Sequence, residues 1–188
     1  MKEKTLVFID NHYLDLVAAN FGMYNRFDIA ELVLQIVRNE NLWCEEAYLY
    51  TAPPHHGEPM TLDEKRRMES YNHFVSALKR FQYLVLREGR CQKIGNAFKQ
   101  KGVDTLITMD LTLVPSIHPD IKTVVVLTAD TDFVPVLDFI RKQGVKIILY
   151  YFSDFRRHSR FSLSNHLFSV CDKRVLLTRL FFEKASRR

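Results

Sequence analysis

The 188-residue chain is 47% hydrophobic and 26% charged, with a net charge of +5 and a pI near 9.1, which excludes a disordered tail or a fibrous chain. No apolar run approaches the roughly 18 residues a membrane-spanning helix needs, and the stretch before Asp10 is too short for a secretory leader. Three dispersed cysteines, Cys44, Cys91 and Cys171, exclude a disulfide framework or cysteine zinc site, so reduced thiols in a cytoplasmic protein are expected.

Residues 5–9 form a short β-branched and aromatic run that predicts a buried strand ending at Asp10. The i, i+3, i+4, i+7, i+8 spacing of Ile29, Leu32, Val33, Ile36 and Val37 predicts an amphipathic helix over 28–39. A second strand is expected over 46–51. Thr61-Leu62-Asp63-Glu64 then matches a capping box for a helix reaching about residue 80. A strand over 83–87 and a helix over 103–114, stopped by Pro115, come next. Residues 122–128 read as the central strand, followed by a helix over 133–143 with Gly144 closing it. A strand over 145–152, a basic loop over 153–159, a helix over 162–170 and a strand over 174–178 complete the chain. Alternating strands and helices predict one α/β domain spanning 1–188, its mostly parallel sheet covered by helices on both faces.

Charge is distributed unevenly. From Lys79 to Lys101 seven Lys/Arg face Glu88 alone, and from Arg156 to Arg188 nine face Asp172 and Glu183. Between them, residues 102–155 carry seven Asp against four Lys/Arg. Such an acidic stretch between basic flanks fits carboxylates that hold a cation and basic surfaces that hold a polyanion.

Two strands end in aspartate, at Asp10 and at Asp130-Thr131-Asp132. In an open parallel sheet these ends border the ligand crevice. Clustered carboxylates there repel one another unless a cation neutralises them, and Mg²⁺ or Mn²⁺ suits such oxygen donors. Helix capping is the plainer role for Asp130 or Asp132 taken singly. Asp104 and Asp110 open the fourth helix, about 120° apart around its axis. Asp110 lies near the apolar stripe, where a carboxylate needs a partner.

Phe8-Ile9-Asp10, Lys101-Gly102-Val103-Asp104 with Asp110-Leu111, and Thr128-Ala129-Asp130-Thr131-Asp132-Phe133-Val134-Pro135 followed by Gly144-Val145-Lys146-Ile147 occur in this order. Together with Ser164-Asn165-His166-Leu167 and Cys171-Asp172, they make the whole chain resemble the NYN domain of the LabA-like type, within the PIN-like nuclease superfamily. The resemblance implies a Rossmann-like fold and a metal-dependent endoribonuclease. It assigns catalytic and metal-site roles to Asp10, Asp104, Asp130 and Asp132, with Asp110 adjacent in the metal site. Single-stranded RNA is the expected partner; no membrane is expected, and a homodimer stays open. Lys101, Arg156, Arg157 and Arg160 are the expected phosphate contacts, and Asn11, Tyr13 or His12 the contacts beside the first carboxylate.

Two alternatives remain at this stage. Asn11-His12-Tyr13 and Thr128-Ala129 depart from the family pattern, which keeps open a catalytically weak module that binds RNA or protein. Asp130-Thr131-Asp132-Phe133-Val134 also fits an aspartyl-nucleophile phosphatase, a reading that leaves Asp10 unexplained.

Overall fold

The computed structural model describes residues 2–95, 97–154, 161 and 165–186. Its strands are β1 (Glu3–Asp10), β2 (Leu42–Thr51), β3 (Leu84–Glu88), β4 (Arg90–Ile94), β5 (Ala97–Lys101), β6 (Thr123–Leu127), β7 (Lys146–Tyr151) and β8 (Lys173–Leu176). The helices are α1 (Asn11–Asn20), α2 (Ile29–Asn39), α3 (Leu62–Leu78), α4 (Val103–Ile117), α5 (Val134–Lys142), α6 (Asn165–Ser169) and α7 (Arg179–Lys184). Six strands build one parallel sheet in the order β3-β2-β1-β6-β7-β8. The chain winds outward from β1 in one direction through β2 and β3, and in the other through β6, β7 and β8. The topological switch therefore lies between β1 and β6, where Ile9 pairs with Leu127. None of the described helices is long and apolar enough to cross a membrane.

Alternation along β1 explains the two cores. Val7 and Ile9 join Leu14, Val17, Leu32, Ile36 and Phe182 on one face, whereas Leu6 and Phe8 join Ile107, Leu111, Leu137 and Ile140 on the other. Because both faces are covered, β6 reads as an unbroken apolar run, and Thr123–Leu127 is buried at every position. Each such side chain contributes roughly 1.5–3 kcal/mol by leaving water.

The predicted caps are present. Asp28 accepts from the Ala30 and Glu31 N–H groups at the start of α2, and Thr61 and Glu64 bond reciprocally at the start of α3. Two expectations need correction, and two helices were not anticipated. Pro115 does not stop α4, which carries it in its last turn to Ile117, where the missing N–H costs little helix beyond it. A helix, α1, follows Asp10 directly, with Leu14, Val17 and Ala18 buried at helical spacing. The last strand ends at Leu176 and a further helix, α7, buries Phe182.

The antiparallel hairpin of β4 and β5 stands apart from the main sheet. Gly89 fixes its base: a Cβ there would lie 2.6 Å from the Lys101 carbonyl oxygen and 2.8 Å from Val103. Farther out, the Phe98 ring lies 5.4 Å from His55 and beneath the Arg67 guanidinium at 6.0 Å. The hairpin is thereby held against α3 and the loop after β2.

Candidate functional site

Asp10 ends β1 and caps α1, its Oδ1 accepting from the Tyr13 N–H at 3.1 Å. Across the switch point, Asp130 caps the single 3-10 turn Thr131–Phe133, its Oδ1 accepting from the Asp132 N–H at 2.9 Å. The Thr128 hydroxyl in turn accepts from the Asp130 N–H. Capping thus occupies one oxygen of each carboxylate. Asp104 lies in the first turn of α4, just after Gly102, whose φ of 81° turns the chain out of the hairpin.

These carboxylates feel one another. Burial holds the Asp10 carboxyl above its ordinary value, and the charge of Asp104 adds to the rise against the lowering effect of the Tyr13 N–H. Asp104 is raised by burial and then by Asp130 and Asp132. Mutual repulsion of this kind is what a bound cation relieves, and an all-carboxylate set matches the oxygen preference of Mg²⁺ or Mn²⁺. Among the described residues, no group of three or more His, Cys, Asp or Glu is placed to hold a metal ion. The donor chemistry fits a divalent ion of the kind that takes one or two carboxylates and keeps its waters.

Asp110 is not part of this group. Its carboxylate accepts from Arg87 Nε and Nη2 at 2.7 Å each and from the Tyr50 hydroxyl at 2.9 Å. The partner expected for a carboxylate near the apolar stripe is an arginine from β3 and not a metal. Tyr13 is also placed differently from the expectation: it is 6% exposed, and its hydroxyl lies against the Phe152 backbone, donating to O and accepting from N. A base cannot stack on a ring packed in the core. Asn11 is buried beside it, whereas His12 is exposed. Lys101 is exposed at the end of β5. Arg156, Arg157 and Arg160 lie outside the described residues.

Two clefts flank His12. One, of about 360 Å³, is walled by α1, the end of β2, α3 and Gln100; the other, of about 500 Å³, lies between the loop after β2 and the hairpin residues Cys91, Phe98, Lys99 and Gln100. A groove between α2 and α7 is lined by Gln35, Arg38, Asn39, Thr178, Leu180, Phe181 and Lys184, with no acidic residue among them.

Residues 90–101 contain four Lys/Arg and no Asp or Glu. Arg90 pairs directly with Lys101, and Gln92 with Lys99, so three cations share one face of the hairpin. Like charges opposite each other destabilise a ribbon, a cost that a polyanion on that face removes. Sequence reading found the positive segment but not the hairpin, because neither strand shows an apolar alternation. Asp15 was also missed; its signal is the i, i+4 spacing from Asn11 on α1.

The sequence matches the NYN domain family over residues 4–177. No curated protein matches it. Among solved structures it resembles the crystal structure of a protein of unknown function from Vibrio parahaemolyticus, with 20% identity, 94% of each chain covered and a TM-score of 0.59. That likeness concerns the fold, whereas the family match spans nearly all of the sheet from β1 to β8. The chain therefore belongs to the NYN domain family and, through it, to the PIN-like superfamily.

Proposed function

We propose that this chain is a metal-dependent ribonuclease that hydrolyses phosphodiester bonds of single-stranded RNA. The observation that supports the reading is the pairwise influence of charge between Asp104 and each of Asp10, Asp130 and Asp132, beside the switch between β1 and β6. Family membership supports it, since NYN domains are typically nucleases. One or two of these carboxylates would hold Mg²⁺ or Mn²⁺, which when bound polarises a phosphoryl oxygen and acidifies a water. Asp104, exposed and raised, is the carboxylate suited to take a proton from the attacking water. Arg90, Lys99 and Lys101 neutralise successive phosphates along the hairpin, which leads into α4 and so to Asp104.

A second reading, an RNA-binding module with little or no turnover, has one observation in its favour: no group of three acidic, His or Cys side chains is placed for a metal among the described residues. One experiment separates the two. Purified protein is incubated with end-labelled single-stranded RNA and Mn²⁺, beside Asp130→Asn. Cleavage by the wild type and not by the variant supports the nuclease; RNA retention without cleavage by either supports the module.

A further inference from the structure

Residues 105–117 of α4 contain one charged side chain, Asp110, in a chain that is 26% charged, and Arg87 already pairs with it. By contrast, α2, α3, α5 and α7 all put Lys or Arg into solvent. Met109 is 51% exposed, Leu113 41% and Ile117 60%, and their i, i+4, i+8 spacing sets them in one ridge. Beside it runs a row of smaller side chains, Thr108, Thr112 and Ser116. The Thr112 and Ser116 hydroxyls donate back to the Thr108 and Leu113 carbonyls at 2.7 and 3.0 Å, so they can leave water without losing a partner. An exposed apolar ridge flanked by satisfied hydroxyls is a surface that gains by being covered.

We propose that this face is an isologous contact through which two copies of the chain form a two-fold dimer. Helices pack when the i±4 ridge of one enters the i±4 groove of the other. A two-fold axis across the middle of α4, beside Thr112 and Leu113, sets the two helices roughly antiparallel. It lays the Met109–Leu113–Ile117 ridge of each copy along the Thr108–Thr112–Ser116 row of the other, so one face supplies both halves of the fit. Charge singles out a second copy as the occupant. Such an axis brings residues near their own duplicates, where a charge would meet its like. In a chain of net charge +5, this face carries no unpaired charge to oppose that meeting. A nucleic acid or an anionic lipid surface would need Lys or Arg, and α4 has neither. Asp104 lies in the first turn of α4, so the two copies' carboxylates fall at opposite ends of the helix pair and each site is left to its own chain.

Sedimentation velocity of the full chain over a concentration series tests this, beside Leu113→Lys, Leu113→Glu and an equimolar mixture of the two variants. The wild type is expected to dimerise. Each variant alone is expected to dimerise about 10-fold or more weakly, because a central apolar contact is lost and the axis sets the new charge against its like. The mixture is expected to recover the dimer, because Lys then faces Glu. Leu113 is partly exposed, so both variants should keep the fold, which circular dichroism checks. Ser116→Lys and Ser116→Glu repeat the set at an exposed position whose hydroxyl bonds its own helix. A wild type that stays monomeric overturns the contact. So does a dimer that both Leu113→Lys and Ser116→Lys leave intact, since it must use another face. Folded variants whose mixture stays monomeric overturn the two-fold axis. The readout is mass, so the dimer stands or falls apart from any cleavage of RNA.

Discussion

Arg87 and Asp110 meet through two hydrogen bonds of 2.7 Å, one from Nε and one from Nη2, across the boundary between β3 and α4. The carboxylate is 14% exposed and the arginine 36%, and the Tyr50 hydroxyl donates to the same Oδ2 that accepts from Arg87 Nε. This pair fixes the helix that carries Asp104 against the sheet edge. It also accounts for Asp110 without any metal.

Asp110→Asn is therefore expected to lower stability by about 1–3 kcal/mol, since it leaves the guanidinium half-paired. RNA cleavage should persist at a temperature where the variant is folded. Urea denaturation and a cleavage assay on the same preparation check this. Loss of activity with unchanged stability would return Asp110 to the metal site.

Asp10→Asn, Asp104→Asn and Asp130→Asn are each expected to abolish cleavage while the protein stays folded. Asparagine caps a helix as well as aspartate does, so the ends of β1 and β6 keep their turns. Without metal, Asp10→Asn should raise the melting temperature at neutral pH, because it removes a buried charge repelled by Asp104. Thermal scans with and without Mn²⁺ read both effects.

Asp15 makes a pH prediction with a definite sign. Burial, opposed by the Asn11 amide and aided by Asp10, lifts its carboxyl from 3.8 to about 6. A folded-state value above the unfolded one stabilises below about pH 4, and that contribution is lost as pH rises through 6. The full difference is about 3 kcal/mol. Asp15→Asn should thus be more stable than wild type at pH 7.5, with the advantage shrinking toward pH 4. Urea midpoints across this range decide it, and a constant difference rules out the buried carboxylate as its source.

Arg90, Lys99 and Lys101 replaced together by Ala should weaken RNA binding and flatten its salt dependence, by a log–log slope of up to about 2 at roughly 0.7 per phosphate contact. Anisotropy titrations of labelled single-stranded RNA at several salt concentrations measure the slope. Identical slopes would show that the hairpin does not carry the RNA.

Much of this arrangement can be read from the chain before any coordinates. The apolar runs of β1, β6 and β7, the spacing of α2 and the capping box of α3 are local signals, and each has its counterpart in the structure. Asp10 and Asp130 are legible for the same reason, as polar stops on buried strands. What escaped depends on packing between distant segments. Tyr13 beside Asp10 reads as a stacking residue until α1 places it four residues before Val17, on the buried face. Asp110 meets an arginine only because α4 crosses beside β3. The hairpin is exposed on both sides, so no burial pattern marks it.

The strand order also bears on when this protein becomes competent during its synthesis. Asp10 emerges from the ribosome early, with β2 and β3 available to cover one side of β1, but its partner strand β6 begins only at Thr123. At about 5–20 residues per second, translation leaves the other edge of β1 open for roughly 6–25 s. Throughout that interval the nascent chain holds one half of the carboxylate pair and lacks the other. In the ribonuclease proposed above, the site would thereby stay incomplete beside the message being translated, by topology and without an inhibitor.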